Sequence, residues 1–71
     1  MTPREQFRAE AVPILFADKA SGATVAVRPK EWHSGPVGWG GSATVYVRVG
    51  GRFVKATAVV RLTVEGSGRW E

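Results

Sequence analysis

From Ala43 to Val64 the side chains alternate with a period of two, and only Gly50-Gly51 interrupts the alternation. Ala43, Val45, Val47 and Val49 fall on one side of the first segment, with Thr44, Tyr46 and Arg48 on the other. After the glycines, Val54, Ala56, Ala58, Val60, Leu62 and Val64 alternate with Phe53, Lys55, Thr57, Val59, Arg61 and Thr63. That period belongs to strands with one buried face. A Gly-Gly pair supplies the two positive-φ positions of a tight primed turn, so the spacing predicts a hairpin with Val49 opposite Arg52. Counting back from the turn sets Val47 against Val54, Val45 against Ala56 and Ala43 against Ala58. On the other face Arg48 meets Phe53, Tyr46 meets Lys55 and Thr44 meets Thr57. A slip of one residue would set apolar against polar along the whole ladder, which fixes the register.

The segment from Arg52 to Glu65 is longer than a partner ending at Ala43, and Val59 puts an apolar residue on its polar side. Both features predict a bend or bulge near Ala58 to Val60, beyond which the strand pairs with Ala23 to Arg28, a second alternating run. Upstream, Thr2-Pro3-Arg4-Glu5 reads as a capped helix start, and Pro13 ends that helix. Ile14-Leu15-Phe16 is core material of either strand or helical form, and Asp18 to Gly22 forms a turn. Pro29 to Ser42 reads as a long loop carrying Trp32, His33 and Trp39 among glycines and prolines. The expected architecture is a small, mainly β (α+β) domain spanning residues 1–71. It has a curled, partly barrel-like antiparallel sheet of three or more strands and a short N-terminal helix within a helical or mixed segment, residues 1–22. Residues 66–71 are expected to be a flexible tail.

Seventy-one residues bury only a thin core, and no cysteine is present to brace it. The absence of cysteine also removes thiolate chemistry and the common zinc frameworks, and fits a reducing compartment. With His33 the single histidine, neither a metal nor another cofactor is expected. The longest nearly apolar run, Ala11 to Ala17, is too short for a membrane helix and Pro13 interrupts it. Charged residues precede it where a secretory signal needs an apolar stretch, so a cytoplasmic location without membrane association is expected. A second copy of the chain is the most available supplement to the core, which makes a homo-oligomer a natural expectation. From Trp32 onward, five bases (Arg48, Arg52, Lys55, Arg61, Arg69) stand against Glu65 and Glu71, which favours anionic partners.

Trp32, Ser34, Gly35, Pro36, Gly38 and Trp39 form the pattern aromatic-x-Ser/Thr-Gly-small-x-Gly-aromatic. The pattern resembles a loop in a group of small bacterial proteins with no assigned activity. The resemblance covers at most the C-terminal two-thirds of the chain, and Pro36 stands where those proteins carry a serine. It brings no catalytic or binding residue with it.

Enzyme chemistry finds little support in the residues, so a non-enzymatic binding module is expected. Glu31, His33 and Ser34 are sequence neighbours, whereas a triad needs convergence from separate elements. Gly38-Trp39-Gly40-Gly41-Ser42 lacks the Gly-Lys-Ser/Thr ending of a phosphate loop. The predicted hairpin instead sets Arg48, Tyr46, Phe53, Lys55 and Arg61 on one surface. Rings that stack on bases beside cations that meet phosphates are how sheets hold single-stranded nucleic acid. The same residues also read as ordinary cross-strand pairs on a solvated face. The alternative function is a protein-interaction or homo-oligomeric domain, using a strand edge or the exposed rings of Trp32 and Trp39. Those tryptophans also suit a core position capping one end of the sheet.

Overall fold

The computed structural model describes residues Met1–Glu71. A helix α1 (Pro3–Glu10) is followed by four strands, β1 (Ile14–Ala17), β2 (Thr24–Glu31), β3 (Val37–Val49) and β4 (Arg52–Thr63), and a 3-10 turn at Ser67–Arg69. The strands form an antiparallel sheet in the order β1-β2-β3-β4. The sheet is open, so the expected barrel-like closure does not occur.

Helix α1 starts as its residues dictate. Thr2 is the N-cap, its hydroxyl oxygen accepts from the Glu5 N–H at 3.2 Å, and Pro3 occupies the first turn. Pro13 forbids continuation, and the chain turns into β1 at Ile14, which settles that segment as strand.

The hairpin has the expected register throughout, from Val49 opposite Arg52 to Ala43 opposite Ala58. Its turn differs in one respect. Gly50 has φ +61° while Gly51 does not adopt a positive φ, so only the first central position needs glycine, as in a type II′ turn. The ladder then runs on to Gly38 opposite Thr63 with no bulge at Ala58 to Val60. The expected bend and the pairing of β4 with β2 are both replaced by a longer β3, which starts at Val37 and pairs with β4 along its whole length.

The long loop shrinks accordingly to the turn between Glu31 and Val37, because Gly38, Gly40 and Gly41 lie within β3 and Pro29 to Glu31 within β2. A Cβ on Gly38 would sit 1.8 Å from the Leu62 carbonyl oxygen, and one on Gly41 would sit 2.7 Å from that of Ala26. Glycine at these positions permits backbones to approach where any side chain would collide. Strand β2 changes partner in passing: Thr24 to Val27 pair with β1, and Arg28 to Glu31 pair with β3. Beyond Val27 it has no neighbour on the β1 side, so the missing N–H of Pro29 breaks no ladder there.

The hydrophobic interior is small: Val25, Val27 and Val37 are its buried apolar side chains. Phe7 of α1 meets Trp39 edge-on with centroids 5.3 Å apart, and the Trp39 Nε1–H donates to the Val12 carbonyl at 2.8 Å. The terminal segment docks on this end instead of trailing free. Ser67 is fully buried, its Oγ accepts from the Val37 N–H at 2.9 Å, and Arg4 Nη2 donates to the carbonyls of Gly35, Ser67 and Trp70. At the opposite end the hairpin projects. The molecule measures 51 × 21 × 16 Å with a radius of gyration of 15.3 Å. A compact chain of this length would have a radius near ~11 Å.

Candidate nucleic-acid interface

Cross-strand register assigns every strand residue to a face. Helix α1 and Trp39 lie on the inner face, shared by Val45, Val47, Val54 and Ala56. The outer face carries Arg48, Tyr46, Thr44, Ser42 and Gly40 from β3 and Phe53, Lys55, Thr57, Val59 and Arg61 from β4. All five sequence-predicted residues, Arg48, Tyr46, Phe53, Lys55 and Arg61, share this face. Tyr46 is 57% exposed and Phe53 61%, so both rings present area to solvent. Arg48 Nε donates to the Gly50 carbonyl at 3.1 Å, holding one cation at the hairpin tip.

Register through β2 adds residues that the hairpin alone does not show. Arg28 is opposite Gly40 and Lys30 opposite Gly38, which places both cations on the outer face. The side chain of Trp32 comes over Gly40 on the same face, where the Arg61 guanidinium lies 4.2 Å from its ring centroid. Cation and ring attract by roughly 0.5–1 kcal/mol at an exposed site, enough to bias their arrangement. Together with Ser42 and Val59 they line a shallow depression of about 250 Å³. Trp32 and Trp39 are each half-buried and lie on opposite faces, so they form neither a shared recognition surface nor a fully buried core pair.

The face therefore bears five cations (Arg28, Lys30, Arg48, Lys55, Arg61), three aromatic rings and no carboxylate among its strand positions. Carboxylates lie elsewhere. Glu31, on the inner face, accepts a bidentate pair from Arg8 at 2.8 and 2.9 Å and faces Arg4 at 3.5 Å. The Arg8 hydrogen bond holds the Glu31 carboxyl below the usual carboxylate range, and the same contact raises the Arg8 guanidinium. In the β1–β2 turn, the Ser21 hydroxyl holds Asp18 low by donating at 2.6 Å. Glu31 and Asp18 are thus engaged in local pairs away from the outer face, whose strand positions hold cations without acids and so carry a positive local potential. From Gly40 to Arg48 the face extends about 27 Å at the usual rise per strand residue.

No three His, Asp or Glu side chains converge as metal ligands would. No helix is long and apolar enough to cross a membrane. No protein family, curated protein or solved structure matches this chain.

Proposed function

We propose that the outer face binds single-stranded nucleic acid with little sequence preference. The observation that carries the reading is the segregation of charge: five cations and three rings share a face whose strand positions hold no acid. Cations at Arg28, Lys30, Arg61, Lys55 and Arg48 follow a backbone of phosphates along the strands. Tyr46, Phe53 and the Arg61-backed Trp32 offer rings on which bases stack, each stack being worth about 1–3 kcal/mol. A flat sheet face suits splayed single strands, because it offers no helix or ribbon to enter a duplex groove.

Fluorescence anisotropy with a labelled single-stranded oligonucleotide of about 16 nucleotides, an upper site size for single-strand-binding folds, tests the reading. The expected dissociation constant at low salt is roughly 10⁻⁴–10⁻⁶ M, with a log–log salt slope between about −2 for three engaged cations and −3.5 for five. Lys55→Glu weakens all sequences alike, because a phosphate contact carries no base information. Tyr46→Ala weakens binding at high salt as well, since stacking survives screening. Absence of binding at low salt by the folded protein discards the proposal.

A further inference from the structure

Side chains from three parts of the chain converge over Gly40 on the outer face. Lys30 comes from β2, Trp32 from the segment after it, and Arg61 from β4, directly opposite Gly40 in the ladder. A Cβ on Gly40 would lie 3.2 Å from the Lys30 Cδ and 3.5 Å from the Trp32 Cζ2. Gly40 therefore differs from Gly38 and Gly41, whose missing Cβ atoms make room for neighbouring backbone. Its missing Cβ makes room for side chains and for what lies between them, and it floors the depression of about 250 Å³.

The charge around that floor is unbalanced. Lys30 and Arg61 both line the depression, and no carboxylate does. The ion pairs of the chain are those of Arg4 and Arg8 with Glu31, on the other face. Arg61 lies on the Trp32 ring, which carries no neutralising charge. Arg28, opposite Gly40 on β2, adds a third cation to the same row of the sheet. Like charges gathered in this way repel, and an anion seated between them offsets the repulsion.

We propose that the depression over Gly40 holds the terminal phosphate monoester of a nucleic-acid strand. The inference rests on the reading of the outer face as a single-strand site and names the group that anchors the strand there. An internal phosphodiester carries one negative charge, whereas a monoester carries about −1.5 to −2 at pH 7 and offers three acceptor oxygens. The monoester therefore matches the two lining cations, Lys30 and Arg61, with the Ser42 hydroxyl as a further donor. The volume fits the group, since about 250 Å³ is below the roughly 300–1,000 Å³ of pockets that enclose a whole small molecule. The terminal base then lies outside the depression, against the half-exposed Trp32 ring.

Anisotropy titrations of the full chain with one internally labelled oligonucleotide are the test. Its ends carry a 5′-phosphate, a 3′-phosphate, a methyl phosphate or hydroxyls alone. A phosphate at one end is expected to tighten binding by about tenfold over the hydroxyl-ended strand, and the singly charged methyl phosphate to recover little of that gain. Lys30→Gln abolishes the ratio between phosphorylated and hydroxyl-ended strands, whereas Lys55→Gln weakens both and leaves the ratio unchanged. Lys30 is exposed, so its replacement leaves the fold intact, which circular dichroism checks. Gly40→Ala, whose Cβ meets side chains alone, reduces the ratio by filling the floor. Equal affinity for strands with and without a phosphate at either end overturns the inference and leaves the single-strand reading standing. So does a ratio that survives Lys30→Gln. A nucleoside monophosphate that binds as tightly as the phosphorylated strand makes the ligand a free nucleotide and overturns the strand-end assignment. Absence of binding by every strand at low salt overturns both readings.

Discussion

The Arg61 guanidinium lies 4.2 Å from the centroid of the Trp32 ring, and the two residues come from either side of β3. Arg61 sits in the edge strand β4, Trp32 follows β2, and the side-chain-free Gly40 between them on β3 lets the indole cross. A ring fixed in this way loses little freedom when a base stacks beside it.

Trp32→Ala is therefore expected to cost a folded protein about 1–3 kcal/mol of oligonucleotide affinity, and to cost the same at high salt. Arg61→Gln is expected to act differently, lowering the salt slope by about 0.7 as one phosphate contact disappears. Anisotropy titrations across a salt series separate the two. Equal salt dependence for both variants would detach the pair from binding.

The glycines of β3 yield a sharper contrast. Gly38→Ala and Gly41→Ala drive a Cβ into the backbone of Leu62 and of Ala26, at 1.8 and 2.7 Å. Forcing a core apart typically costs about 1–3 kcal/mol, against a total of roughly 3–5 kcal/mol for so small a domain. Gly38→Ala, the closer collision, is expected to unfold much of the population. Gly51→Ala meets no atom within 4 Å and has no positive φ, so its Tm should match the wild type. Gly50→Ala, at φ +61°, should cost about 1–2 kcal/mol. Thermal melts of the four variants rank these effects; equal Tm values for Gly50→Ala and Gly51→Ala would overturn the turn type.

These glycines also mark where the fold was legible in the sequence and where it was not. The hairpin from Ala43 to Ala58 was readable because turn chemistry and two-residue alternation agree along its length. The strand's first half was not, because Gly38-Trp39-Gly40-Gly41 shows no alternation and resembles a flexible bend. Its glycines answer to partners, Leu62 and Ala26, that are distant in sequence. The candidate site divides along the same line. Arg48, Tyr46, Phe53, Lys55 and Arg61 followed from the hairpin register, whereas Arg28, Lys30 and Trp32 enter through the pairing of β2 with β3. A signal for them existed: Arg28 and Lys30 continue the alternation of Ala23 to Val27. Pro29 masked it, since proline ordinarily ends a strand, and only the departure of β1 after Val27 makes it harmless. Ser67 gave no signal, because a serine between glycines reads as tail.

The Glu31 carboxyl titrates lower in the folded chain than in the unfolded one, chiefly because Arg8 donates hydrogen bonds to it; desolvation opposes this, and the charges of Arg8 and Arg4 and the Arg4 hydrogen bond add to the lowering. Below its ordinary value the unfolded state takes up the proton more readily than the folded one. Stability from this group is thus complete above about pH 5, declines as the pH falls through the ordinary glutamate value near ~4.3, and is gone below the folded pKa. Asp18, held low by Ser21, adds a loss of the same sign. Glu31→Gln is expected to lower Tm at pH 7 and to flatten the decline between about pH 5 and pH 3. An acid limb as steep as that of the wild type would show that the Arg8–Glu31 pair does not couple to folding.

Ser67 and Val37 close the end of the molecule opposite the hairpin tip. The Ser67 Oγ accepts from the Val37 N–H at 2.9 Å and donates to the Val37 carbonyl at 3.3 Å, with both residues fully buried. Val37 opens β3, and the hydroxyl supplies the acceptor for its N–H, while the Val37 carbonyl also accepts from the Val64 N–H at 2.9 Å. Ser67→Ala removes one partner and strands a buried N–H, which costs about 1–3 kcal/mol, far more than the loss of one exposed hydroxyl. Ser34→Ala, an exposed position, is the control and should be silent. Hydrogen exchange gives a second readout: the Val37 amide should lose protection selectively in Ser67→Ala, while amides of the hairpin arms keep theirs until global unfolding. An unchanged Tm together with a protected Val37 amide would mean that the tail contributes no closure, and that the three carbonyls gathered by Arg4 do not hold it.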